Sequence, residues 1–143
     1  MNYKHTQIGY LIIYTFAFVL CTFFFIFNSH GFDKIWIIAF VIAIVILTSL
    51  FTLTVKIDDK KLKVKFWYWI YRAKFLLSEI KSVKVVKNPW YYGWGIRFWF
   101  WPKIIIYNVS GFDAVELVMK NGSIYRIWTD EPKKLEKAIN KEI

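Results

Sequence analysis

Two long apolar runs open the chain, and the spacing of its hydrophobic positions changes after them. Ile8 to Phe27 and Ile35 to Thr54 each supply twenty residues without a charge, about the length needed to cross the hydrocarbon core of a bilayer. The stretch Ile37 to Ile46 is rich in β-branched residues, which in water would favour a strand. In lipid a lone strand leaves its backbone unsatisfied, so both runs predict helices, with spans at about 8–27 and 35–54. The end of the second is ambiguous, because Phe51-Thr52-Leu53-Thr54-Val55 fits either a helix or a following strand.

From Val55 onward the period falls to two. Lys56-Ile57 and Leu62-Lys63-Val64-Lys65-Phe66 alternate as half-buried strands do, with Asp58-Asp59-Lys60-Lys61 as the turn. A loop at Asp59-Lys60 sets Ile57 opposite Leu62 and Lys56 opposite Lys63, so apolar and basic faces agree across the pair. Further strands are predicted over Tyr71 to Leu77, Ile80 to Lys87, Ile104 to Val109, Ala114 to Lys120 and Ser123 to Thr129. Asn121-Gly122 joins the last two as a tight hairpin. Thr129-Asp130-Glu131-Pro132 then reads as a helix start. Leu135, Ala138, Ile139 and Ile143 form its apolar stripe, and Lys133, Lys134, Lys137 and Lys141 lie off that stripe.

Charge divides the chain at the same place. Of 20 Lys/Arg and 10 Asp/Glu in the whole sequence, residues 1–54 hold only Lys4, Asp33 and Lys34. That leaves 18 basic and 9 acidic side chains, a net +9, in residues 55–143. The linker Asn28 to Lys34 carries one acid and one base, so the positive-inside rule puts both termini in the cytoplasm and the linker outside. The first apolar stretch is long for a signal peptide, and Phe27-Asn28-Ser29-His30-Gly31 offers no small-x-small cleavage site. The expectation is a multi-pass plasma-membrane protein with a transmembrane helical hairpin (1–54) and a cytoplasmic domain (55–143).

Seven short strands followed by one amphipathic helix is the element order of a pleckstrin-homology (PH) barrel. The segments Asn88-Pro89-Trp90-Tyr91-Tyr92-Gly93-Trp94-Gly95-Ile96-Arg97, Tyr107-Asn108-Val109-Ser110-Gly111-Phe112-Asp113-Ala114-Val115-Glu116, Asn121-Gly122 and Thr129-Asp130-Glu131-Pro132 resemble a bacterial family of small two-span membrane proteins with a PH-like domain. The resemblance covers most of residues 55–143. Lys103-Ile104 and Trp128 stand where the family pattern has Gly-Trp and Gly. It implies a mainly β, PH-like barrel of about seven strands capped by the C-terminal α-helix, and architecture rather than activity.

Convergent catalytic groups are not legible. The two histidines, His5 and His30, flank the first span and so fall on opposite sides of the membrane, and no Walker loop, nucleophile elbow or HExxH helix occurs. Asp58-Asp59, Asp113/Glu116 and Asp130-Glu131 fit turn, strand-start and helix-start positions. Cys21, the single cysteine, sits in an apolar run and reads as a small helix residue. Asn108-Val109-Ser110 is a formal glycosylation sequon on the side expected to be cytoplasmic. Neither an enzyme nor a cofactor or metal is expected.

Trp90 to Trp101 holds eight aromatics among twelve residues. Two readings stay open: an interfacial belt at headgroup level, or rings that fill a small barrel and its mouth. Alternation would send Phe98 and Phe100 one way and Trp99 and Trp101 the other, with Arg97 available to stack on a ring. The candidate contact residues are Lys56, Lys63, Lys65, Arg72 and Lys74 for charge, with Trp90, Tyr91, Trp94 and Trp99 for interfacial contact. The expected partner is the bilayer, through anionic lipid headgroups, or a protein at the inner leaflet. The alternative is a structural or regulatory subunit of a larger membrane complex. Nucleic acid fits poorly, since no recognition helix or RNA motif accompanies the charge.

Overall fold

The computed structural model describes residues 3–67, 72–101 and 103–143. Strand β1 (Lys4–Ile8) leads into helix α1 (Tyr10–His30), which turns at Gly31 into α2 (Lys34–Ser49). Then follow β2 (Thr52–Asp58), β3 (Lys61–Phe66), β4 (Arg72–Leu76), β5 (Ile80–Lys87), β6 (Gly95–Phe100), β7 (Lys103–Asn108), β8 (Asp113–Met119), β9 (Ile124–Trp128) and helix α3 (Pro132–Asn140). Short 3-10 turns occupy Leu77–Glu79 and Trp90–Tyr92. Tyr71, the expected start of the third strand, lies outside the described residues.

The helical pair is apolar on all sides. Within it only Ile12 is buried, while Phe18, Phe24, Phe25, Ile35 and Ile38 are exposed. Helix α1 is long and apolar enough to span a membrane, and α2 is a shorter apolar helix of 16 residues. At 1.5 Å per residue α2 measures roughly 24 Å. The two run antiparallel, held by ring contacts of Phe23 and Phe27 with Phe40 at 5.0 and 5.7 Å and of Phe16 with Phe51 at 5.2 Å. The half-buried residues Phe16, Val19, Phe23 and Ile26 on α1 repeat at alternating steps of three and four, the spacing that keeps one stripe against a partner helix. The Asp33 side chain caps α2 by accepting from the Ile35 N–H.

The second helix ends five residues before its expected limit. Of the ambiguous segment Phe51 to Val55, all but Phe51 belongs to β2, because there the backbone finds partners on both sides. Lys4 to Ile8 pair antiparallel with Lys56 to Thr52, and Leu53 to Asp58 pair with Phe66 to Lys61. The expected register of Ile57 with Leu62 and Lys56 with Lys63 is present. Strand β1 was not expected at all: the helical hairpin is an insertion between two neighbouring strands, and the Gly9 N–H continues the ladder to the Phe51 carbonyl at 2.7 Å.

Two sheets form, in the orders β1-β2-β3-β4 and β5-β8-β9-β7-β6. This corrects the expected barrel in two ways. Among the described residues there are nine strands rather than seven, and no strand pair joins one sheet to the other, so no barrel closes. The chain leaves the first sheet at the Leu77–Glu79 turn instead of continuing its ladder. β7 then pairs parallel with β9, while β9 pairs antiparallel with β8 through the Asn121-Gly122 hairpin. The result is a β-sandwich with a C-terminal helix.

Leu53, Val55, Ile57, Leu62, Val64, Phe66, Ala73 and Phe75 on the inner face of the first sheet meet Tyr107, Val115, Leu117 and Ile127 of the second, with Leu135 and Ile139 of α3 closing one side. Phe75 bridges the sheets, its ring 4.6 Å from Tyr125 and 6.4 Å from Tyr107. Helix α3 begins with Pro132, and Thr129 Oγ1 accepts from the Glu131 N–H just before it. It ends at Asn140, and Ile143, assigned to its apolar stripe, is exposed.

Gly111 has φ +74°, and a Cβ there would lie 2.7 Å from Trp128 Nε1. Gly111→Ala should therefore cost about 1–3 kcal/mol, from backbone strain and a displaced indole. Gly122 also has positive φ but open space around it, so Gly122→Ala should cost only about 1 kcal/mol. Thermal unfolding of the full chain in detergent checks the difference.

Candidate functional site

The outer face of the first sheet is where basic residues converge. Strand alternation buries Leu53, Val55 and Ile57 of β2, Leu62 and Val64 of β3, and Ala73 and Phe75 of β4. The residues between them must then face outward. Cross-strand register lines up Lys4, Lys56, Lys63 and Lys74 in one row and Thr6, Thr54, Lys65 and Arg72 in the next. All five basic residues singled out from sequence, Lys56, Lys63, Lys65, Arg72 and Lys74, thus share this face, and β1 adds Lys4 to it. Like charges directly opposite one another on a sheet are destabilising, so such rows call for counter-charge.

Among the described residues, Asp58 meets two of these lysines. Asp58 Oδ2 accepts from Lys63 Nζ at 2.8 Å and Lys56 Nζ at 3.4 Å. The hydrogen bond from Lys63 and the charge of Lys56 hold its carboxyl below the usual carboxylate range.

The aromatic candidates lie elsewhere. Ile104 and Ile106 alternate with the core-facing Ile105 and Tyr107 and so point to the outer face of the second sheet, where Tyr92 and Trp99 cover them. Tyr91 and Tyr92 pack on Trp99 with centroids 5.8 and 4.9 Å away, and Trp90 packs edge-on against Tyr91. Trp90, Tyr91 and Trp99 are therefore together, but on the opposite side of the sandwich from the lysines. Trp94 stands apart, its Nε1 buried without a partner among the described residues.

The expected alternation puts Trp99 on this cluster and leaves Phe98 and Phe100 63% and 83% exposed; Trp101, in the following turn, is 90% exposed. Among the described residues it is Arg126 rather than Arg97 that stacks on an aromatic, with its guanidinium 5.5 Å from the Tyr92 ring centre. Arg97 Nε instead donates to the Trp94 carbonyl. Some rings are thus packed on a sheet face and others are left exposed.

Beneath the aromatic cover lies an ion cluster that sequence reasoning missed. Glu116, 4% exposed, accepts from Arg126 Nε at 2.8 Å and Lys84 Nζ at 3.0 Å. Arg126 also donates to Asn88 Oδ1. Burial pushes the Glu116 carboxyl up, but the hydrogen bonds from Lys84 and Arg126 outweigh it and the net shift is downward. The signal was available in principle, since the Asn121-Gly122 hairpin register sets Glu116 opposite Arg126.

One further reading is corrected by β1. His5 lies in the sheet rather than beside a membrane span, and its Nε2 donates to Asp130 Oδ1 at 2.6 Å, with Glu131 Oε2 3.8 Å from Nδ1. A histidine therefore does belong to the folded β unit. Asp130 and Glu131 do stand at the start of α3, as expected, and from there they also meet His5 of β1. Asn108 of the sequon is buried, its amide donating to the Gly93 and Gly111 carbonyls, so it serves the turn rather than glycosylation.

No family model matches the chain, and no curated protein matches it.

Because Glu116 has a depressed folded-state pKa, its cluster stabilises the fold fully above the ordinary carboxylate range and loses that contribution as pH falls through the folded value. Stability of the unmodified protein should thus fall as pH drops below about 4. Glu116→Gln should cost about 1–3 kcal/mol at neutral pH and flatten this acid limb. Thermal unfolding across pH tests both, and an unchanged acid limb in the variant would assign the effect to other carboxylates.

Proposed function

We propose that this protein is a non-enzymatic, membrane-anchored module that presents the basic outer face of its first sheet to anionic lipid headgroups at the inner leaflet. The observation that carries the reading is the cross-strand register: six basic residues, Lys4, Lys56, Lys63, Lys65, Arg72 and Lys74, stand side by side, with Asp58 reaching Lys56 and Lys63 from beside the first row. Each such residue near an anionic surface contributes around 1 kcal/mol, and a lipid phosphate relieves the repulsion within the rows. The all-round apolar surface of α1 and α2 supports a hairpin anchor crossing the bilayer twice. Because β1 and β2 are hydrogen-bonded neighbours, the N-terminus and the sandwich share one side, and the charge excess of residues 55–143 favours the cytoplasm. In this reading the sandwich is a divergent PH-like unit that resembles the family in its motifs without closing the expected barrel.

A second reading rests on Phe98, Phe100 and Trp101, whose exposure exceeds what water favours for isolated rings. It makes the protein a structural or regulatory subunit of a larger membrane complex. Co-purification of one stoichiometric partner in mild detergent, lost in Phe98→Ser/Phe100→Ser, would favour it.

Amine-reactive footprinting of the full chain in nanodiscs tests the lipid reading. Labelling of Lys63, Lys65 and Lys74 should fall several-fold in anionic relative to neutral bilayers and recover in high salt, with Lys103 unaffected. Equal labelling in both bilayers would sink the proposal. Reporters fused at Met1 and after Ile143 should both be active only in the cytoplasm, and activity of either outside would overturn the orientation.

A further inference from the structure

The outer face of the first sheet changes character with distance from the helices. The row beside them holds Ile8 of β1 opposite Thr52 of β2 and, with the β2–β3 register carried one step beyond Phe66, Trp67. Among the described residues that row bears no charge. The next row holds Thr6, Thr54, Lys65 and Arg72, and the one after it Lys4, Lys56, Lys63 and Lys74. Apolar groups thus give way to hydroxyls and bases, one row at a time. Neighbours on one face of a strand are two residues apart, which spaces the rows by roughly 7 Å.

The helices are graded in the same sense. Tyr10 opens α1 with 61% of its surface exposed, and Tyr14 follows one turn on, also exposed. At the other end of the pair Phe32 and Trp36 are exposed, and the His30 ring stacks on Trp36. Between Tyr14 and Trp36, and again from Ile37 to Phe66, the chain has no Trp or Tyr. Rings with a polar edge therefore mark the two ends of α1, whose 21 residues extend about 31 Å, close to the thickness of the hydrocarbon core. Interfaces favour such rings. Trp67 joins the first of these ends through a chain of contacts, packing edge-on against Phe51 at 6.5 Å while Phe51 meets Phe16 of α1 at 5.2 Å.

We propose that Ile8, Tyr10, Tyr14 and Trp67 form a collar embedded at the boundary between acyl chains and headgroups, which sets the height of the sandwich above the bilayer. The row of Lys65 and Arg72 then lies nearest the phosphates, and the row of Lys4, Lys56, Lys63 and Lys74 stands farther out. The inference rests on the reading of α1 and α2 as a bilayer anchor and adds a lipid contact made by β1 and the end of β3. Uncharged rings bind the interface without regard to lipid charge or salt, which separates the collar from the lysine rows.

The test uses the full chain in neutral-lipid nanodiscs, with nitroxide labels read by power-saturation EPR against oxygen, which concentrates among acyl chains, and a water-soluble nickel chelate. Labelled at its own Cys21, the protein should admit oxygen and exclude nickel. In a Cys21→Ser background, labels on Thr52→Cys, Thr54→Cys and Lys56→Cys sample the three rows. The oxygen-to-nickel accessibility ratio should fall several-fold from the first row to the third and stay unchanged in high salt. Tyr10→Ser/Trp67→Ser should lower the ratio at the first-row label about twofold or more, and the label series decides alone if that variant does not fold. Equal, water-like ratios in all three rows with Cys21 inside the bilayer would overturn the collar and leave the anchor standing, whereas nickel access at Cys21 would overturn both. Protection of the first-row label from both reagents would mean a protein contact in place of lipid, and would overturn the collar too.

Discussion

The ladder between β1 and β2 is the constraint on which the rest depends. Five residues from Lys4 to Ile8 pair with Lys56 to Thr52, and between those strands the chain makes both apolar helices. Closing a loop that long is entropically unfavourable, and the helices reduce the cost by packing on each other antiparallel through Phe23, Phe27 and Phe40. The ladder in turn decides where β2 begins, and so where α2 must end. It also seats Tyr3, His5 and Gln7 against the sandwich, with His5 bonded to Asp130 beside α3. The N-terminal segment, the helical hairpin and the end of the chain are thereby tied into one unit.

Most of the local structure was legible because period and turn chemistry agree. Ile57 and Lys56 found their partners through the Asp59-Lys60 turn, Asn121-Gly122 made its hairpin, and Leu135 and Ile139 faced the core as a 3.6-residue period requires. The misses have physical causes. In Lys4-His5-Thr6-Gln7-Ile8 the inward residues His5 and Gln7 are as polar as the outward ones, so alternation is invisible and only the waiting edge of β2 makes the segment a strand. β6 was hidden by its aromatics, which fitted a belt as well as a sheet. The parallel pairing of β7 with β9 is non-local, and no turn between them encodes it.

The candidate surface was half legible for a similar reason. The five basic residues were found because the alternation of three consecutive strands fixes their common face. The aromatic set was harder, since placing Trp90 and Tyr91 requires knowing that a 3-10 turn folds back over Ile104 and Ile106. What joins the two faces energetically is contrast: Glu116 is neutralised twice over inside its cluster, whereas the lysines on the first sheet are left with far less acid than base.

The attachment of the helices to the sandwich has one more consequence. Between the last paired residue of β1 and the first turn of α1 stands Gly9 alone, and between α2 and β2 stand Leu50 and Phe51. A Cβ at Gly9 would come within 3.1 Å of the Leu50 and Val109 carbonyl oxygens, so this junction is filled as well as short. A head on a single flexible tether swivels and samples every azimuth, but one suspended from two adjacent struts does not. Torque on the helical pair passes into the first sheet as shear along the β1–β2 ladder, making the pair a rigid handle on the sandwich.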